Sequence, residues 1–123
     1  MASVTVVGAS MGGSIAVGVG QKSGGDAVID VSGPPTWTAV PTLEEAAAQT
    51  TVPFLLVASP GDPGIDQTRV QAAFEASPSL TKQLVKPPAG HGWGLLWTGT
   101  DPLAPVVAPL GEQVLEWVKG NYS

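Results

Sequence analysis

With 123 residues, 43% of them apolar and 12% charged, the chain can build one core and is not composed like a disordered segment. A net charge of −5, with four lysines and Arg69 scattered along the chain, leaves no basic stripe for nucleic acid and disfavours an anionic membrane surface. The absence of cysteine excludes disulfides, thiolate nucleophiles and cysteine metal sites, and a single histidine cannot build a histidine metal site, so neither metal nor cofactor is expected.

The opening residues lack the basic and apolar segments of a signal peptide, and no apolar run approaches the ~18–20 residues needed to span a bilayer. Both features favour a cytoplasmic protein. The charged share is about half the usual one, so Ala, Gly, Ser, Thr and Pro must cover much of the surface, or a partner must.

In chain order, Val4–Val7 reads as a strand and Met11–Gln21 as the helix after it. That helix contains Gly12, Gly13, Gly18 and Gly20, each unfavourable by about 0.5–1 kcal/mol relative to alanine. Tertiary packing must therefore form it, and its small residues suit close approach to a sheet. Gly24-Gly25 is a turn, Ala27–Val31 a second strand, and Ser32–Pro41 a loop. Thr42–Gln49 carries a capping-box pattern, with Thr42 as cap and Glu45 three residues on.

Pro53–Ala58 is apolar throughout, as expected of a strand covered on both faces. Ile65–Ala76 reads as a helix with Ile65, Val70, Ala73 and Phe74 on one face. Thr81–Val85 is a fourth strand and Pro87–Trp93 a loop. Ala108–Asn121 is a last helix drawing on Leu110, Val114, Leu115, Trp117 and Val118, with Trp117 expected in the core. No repeat or linker divides residues 1–123, which read as one domain. The alternation predicts an α/β fold: an open parallel sheet of about four strands, joined by right-handed crossovers and flanked by helices. A ligand site is then expected beyond the carboxyl ends of the strands.

Three loops at those ends carry the residues that acyl transfer needs. Gly8-Ala9-Ser10-Met11-Gly12 is a Gly-x-Ser-x-Gly motif between a strand and a helix. Its glycines imply a turn so tight that a Cβ at either flanking position strikes the neighbouring strand or helix. Asp62 follows the third strand and His91 the fourth. A serine hydroxyl needs an imidazole to take its proton, and the imidazole needs a carboxylate to fix its tautomer. Asp66 rivals Asp62, but its place suits the opening of the next helix.

A strand, Gly8-x-x-x-Gly12 and Asp30 about 20 residues on superficially fit a dinucleotide-binding half. However, the Gly-x-Gly-x-x-Gly pattern fails at Ser10, and the Gly90-His91-Gly92 loop is left without a role.

The chain resembles the carboxy-terminal half of an α/β-hydrolase. Val6–Gly13 is similar to the nucleophile strand and elbow, and Val52–Pro63 to the strand ending in the triad acid. Gly90–Leu96 resembles the histidine loop, and Glu112–Val118 the closing helix. The resemblance covers nearly the whole chain and implies Ser10 as nucleophile, His91 as base and Asp62 as acid. It also implies the Met11 N–H as one oxyanion donor, and a small-molecule ester as substrate, with no extended lid for long lipids. Trp93, Trp37 and Trp97 are candidates for a substrate pocket, with core filling beneath the loops as the alternative.

In the family a second oxyanion donor comes from an earlier loop that has no counterpart here, and losing one such donor costs ~10²–10³ in turnover. An isolated monomer is therefore expected to be a poor enzyme. Val4–Val7 becomes a short apolar edge with no lysine or proline to blunt it, whereas Lys82 and Lys86 guard the opposite edge. This asymmetry predicts a homodimer, or a complementing partner, joined through Val4–Val7. The alternative function is a non-catalytic hydrolase remnant that serves as a structural or partner-binding module.

Overall fold

The computed structural model describes residues 3–98, 103 and 106–122. Its elements follow the expected alternation: β1 (Thr5–Ala9), α1 (Met11–Val19), β2 (Ala27–Val31), α2 (Leu43–Ala48), β3 (Phe54–Val57), α3 (Gln67–Ala76), β4 (Lys82–Val85) and α4 (Pro109–Val118). A short 3₁₀ turn, Gly92–Leu95, and a two-residue hairpin, β5 (Trp97–Thr98) with β6 (Val106–Val107), lie between β4 and α4. Strands of two residues each are too short for hydrophobic alternation to reveal the hairpin.

The four long strands form one parallel sheet in the order β1-β2-β3-β4. When strands are laid down monotonically, right-handed crossovers send every connecting helix to the same face. Accordingly α1, α2 and α3 share one core cluster with Val28, Phe54 and Leu56. The chain after β4 crosses to the other face, where Val114 and Trp117 of α4 pack on Ile29, Val31, Leu55 and Val57. Both faces of β2 and β3 are thereby covered, and every residue in them is buried.

Local chemistry sets the helix starts. The Thr42 Oγ1 accepts the Glu45 N–H at 3.3 Å and donates to Glu45 Oε1 at 2.9 Å. Asp66 caps α3, its Oδ1 accepting from the Thr68 and Arg69 N–H groups at 3.0 and 3.3 Å. α1 ends at Val19, two residues before the expected Gln21, and Gln21 instead uses its Oε1 to accept the Thr51 and Val52 N–H groups. Trp117 is fully buried, whereas Leu115 and Val118 face outward.

The two sheet edges differ from each other, and one differs from expectation. β1 pairs only with β2 among the described residues, and Val4, Met11, Ile15 and Val19 beside it are exposed. At β4, Lys82 does not stand guard over an open edge. Its ammonium donates to the Phe74 and Ser77 carbonyls at 2.7 and 3.0 Å, closing the end of α3. The last carbonyls of a helix lack intrahelical donors, and a lysine ammonium can satisfy them; here it also lies 4.7 Å from the centroid of the Phe74 ring, a cation–π contact. No helix among the described residues is long and apolar enough to cross a membrane.

Candidate functional site

The site grows from the turn between β1 and α1. Ser10 has φ 55° and ψ −125°, a strained conformation for a residue with a Cβ, unfavourable by roughly 1–3 kcal/mol. Hydrogen bonds on both sides hold it there. The Ser10 N–H donates to the Val31 carbonyl at 2.9 Å, and its own carbonyl accepts from the Gly13 N–H at 2.8 Å. The crowding around this turn is one-sided. A Cβ on Gly8 would lie 1.9 Å from the Gly12 carbonyl oxygen, but a Cβ on Gly12 meets nothing within 4 Å. The expectation that both motif glycines are sterically required is thus corrected. Gly12 faces the open edge of β1, and Gly13 is the one pressed against the sheet, where a Cβ would fall 2.1 Å from Asp30 Oδ1.

Ser10 Oγ lies 2.9 Å from His91 Nε2, and His91 Nδ1 contacts Asp62 Oδ2. The three side chains proposed from their order in the sequence are therefore brought into one row. A carboxylate can only accept, so Nδ1 carries the imidazole proton and Nε2 is left with its lone pair toward the serine hydroxyl. Asp62 is 7% exposed and held by a hydrogen-bonded turn. Its Oδ1 accepts the Gly64 N–H at 3.1 Å, and its N–H donates to the Ser59 carbonyl at 3.1 Å. That same carbonyl takes a bond from Gln67 Nε2 at 2.9 Å. By contrast, 48% of the His91 side chain is exposed. Met11 opens α1, so its N–H has no intrahelical acceptor and lies at the positive end of the helix dipole, suited to a developing anion.

Behind this row lie two residues that the hydrolase resemblance did not point to, Asp30 and Ser32. Asp30 is fully buried on β2, in register with Gly8. Its Oδ1 accepts the Gly33 N–H at 2.8 Å, while Oδ2 has no partner. Burial pushes its pKa from 3.8 up to about 7, opposed in part by the Gly33 hydrogen bond. A ribose cannot reach this carboxyl, which removes the residue that made a dinucleotide site conceivable. Ser32 is also fully buried, with φ 62°, and its Oγ accepts the Gly92 N–H at 3.0 Å. The available signals were slight: an acid inside an otherwise apolar five-residue strand, and a serine directly after it.

Trp93 lines a groove of about 360 Å³ together with Val7, Ala9, Gly12, Ile15 and Val19. This groove runs along the open side of β1; its lining includes Ala9 and Gly12, on either side of Ser10 in the chain, but not Ser10 itself. Trp37 and Trp97 are about half exposed and do not line it. A larger groove of about 560 Å³ lies between α1 and α2, lined by Val17, Gln21, Pro41, Glu45 and Gln49, and holds none of the three residues in the row. No protein-family model matches the chain, and no curated protein sequence matches it either.

Proposed function

We propose that this chain is a serine hydrolase of the carboxylesterase type, cleaving small esters through an acyl-enzyme on Ser10 in the manner of an α/β-hydrolase. The observation that carries the reading is the continuous row from Ser10 Oγ through the His91 imidazole to Asp62. A bulk-exposed serine hydroxyl has no base at hydrogen-bond distance, whereas this one has.

In acylation, His91 Nε2 takes the Ser10 proton as Oγ bonds to the ester carbonyl carbon. The carbonyl π electrons move to oxygen, and the Met11 N–H donates to that oxyanion. The tetrahedral adduct collapses when the C–O bond to the alcohol breaks and the leaving oxygen takes the proton from Nε2. Water then repeats the sequence, giving its proton to Nε2 and its oxygen to the acyl carbon, and Ser10 leaves with the proton. Asp62 stays ionised and stabilises the imidazolium that forms in each half. The groove lined by Trp93 supplies apolar contact for a small acyl or alcohol group, and Trp37 and Trp97, which do not line it, drop out of the pocket.

The exposed apolar strip of Val4, Met11, Ile15 and Val19 along β1 supports assembly through that edge, as a homodimer or with a complementing chain that adds strands and a second oxyanion donor. Hydrolysis of p-nitrophenyl acetate by wild type and Ser10→Ala tests the reading. Loss of turnover in the variant supports a hydrolase, and equal rates favour the non-catalytic binding module.

A further inference from the structure

His91 is the weakest-held member of the row. Its imidazole is half exposed, and it is flanked by Gly90 at φ 113° and Gly92 at φ 63°. A loop with left-handed glycines on both sides of its working residue has more backbone freedom to lose than any other kind, so something must fix it. The Ser32 hydroxyl is placed to do so. Ser32 follows β2 directly, and its N–H donates to the Val57 carbonyl at the end of β3 at 2.8 Å, while the preceding residue, Val31, accepts the Ser10 N–H. The Ser32 side chain therefore stands between the corner carrying Ser10 and the corner leading to Asp62, and reaches the residue next to His91. Its backbone is left-handed, a conformation that glycine adopts without strain and serine does not. What serine adds there is the acceptor.

We propose that Ser32 is a positioning residue for His91: by accepting the Gly92 N–H, its buried hydroxyl sets the imidazole within reach of Ser10 and Asp62 together. The inference rests on the hydrolase reading for its catalytic consequence, though not for the hydrogen bond itself. A displacement of about 1 Å in such a group lowers turnover on the order of 10²-fold. Ser32→Gly and Ser32→Ala both delete the acceptor, but Ser32→Gly relaxes the backbone, which separates the hydroxyl from the conformation. Both variants should react with a fluorophosphonate at least about 10-fold more slowly than wild type. If Ser32→Gly reacts at the wild-type rate, the hydroxyl is dispensable and the proposal is overturned.

Because the chain has one histidine, its ring signals in a nitrogen-15 spectrum are unambiguous. The Nδ1 proton bonded to Asp62 should be seen in wild type and lost to exchange in both variants. An unchanged Nδ1 signal in the variants also overturns the proposal. Should neither variant fold, amide exchange in wild type decides. The Gly92 amide must be protected relative to Gly94, and rapid exchange at Gly92 refutes the bond. Wild type that shows a protected Gly92 amide but no phosphonate adduct keeps the positioning role and sinks the hydrolase reading.

Discussion

Asp30→Asn should remove a pH dependence of stability that the wild-type fold carries. The Asp30 carboxyl is buried beneath the first turn of α1, with one oxygen bonded to the Gly33 N–H and the other unpartnered, and its pKa is raised from 3.8 to about 7. Between these two values the native state holds a proton that the unfolded chain has released. Stability from this group therefore falls as pH rises from about 4 to about 7, and levels off above. A rise of about three pH units is worth about 4 kcal/mol across the whole window, of which roughly 2–3 kcal/mol falls between pH 5 and pH 8.

Asparagine keeps an oxygen for Gly33 but leaves a buried amide N–H unpaired, at roughly 1–3 kcal/mol. The variant should thus be about level with wild type near pH 5 and more stable by about 2 kcal/mol at pH 8. Urea unfolding followed by tryptophan fluorescence at pH 5, 6, 7 and 8 reads both curves. If the difference between wild type and Asp30→Asn is constant across that range, the carboxyl does not titrate inside the fold and the reasoning fails.

The two motif glycines should behave oppositely: Gly8→Ala drives a Cβ into the Gly12 carbonyl and should destabilise by more than about 3 kcal/mol, whereas Gly12→Ala should melt at or slightly above the wild-type temperature. Thermal melts of the pair measure this directly. Asp62→Asn preserves shape but allows the wrong imidazole tautomer, and steady-state ester hydrolysis should drop by about 10³–10⁴-fold with folding intact. Ile15→Glu places a charge on the exposed strip beside β1. Light scattering should show wild type at twice the chain mass and the variant at the chain mass; a monomeric wild type would rule out the homodimer.

The order of the four parallel strands and their helices was legible because most of these elements carried a local signal. The unbroken apolar run at β3 needed two covered faces, Thr42 and Glu45 formed a cap, and Asp66 matched a helix start better than a base partner. The meeting of Ser10, Asp62 and His91 followed from parallel topology, since a parallel sheet delivers every strand's carboxyl end to one side. What escaped depends on contacts between segments far apart in the chain. No pattern in Ser32-Gly33-Pro34 says that the serine is buried in a left-handed conformation and bonded 60 residues away. The motif spacing likewise pointed to Gly12 as crowded, although the sheet presses on Gly13, because which side of a helix faces the sheet is settled by packing. Lys82 was read from its strand alone, and the end of α3 claimed it.

The central claim, that Ser10 is an activated nucleophile, is tested most directly by incubating the full chain with a fluorophosphonate and locating the adduct by peptide mass spectrometry. The account predicts one phosphonyl group on the peptide containing Ser10, abolished in His91→Ala. An unmodified Ser10 peptide from folded protein, at low and high protein concentration alike, would contradict it.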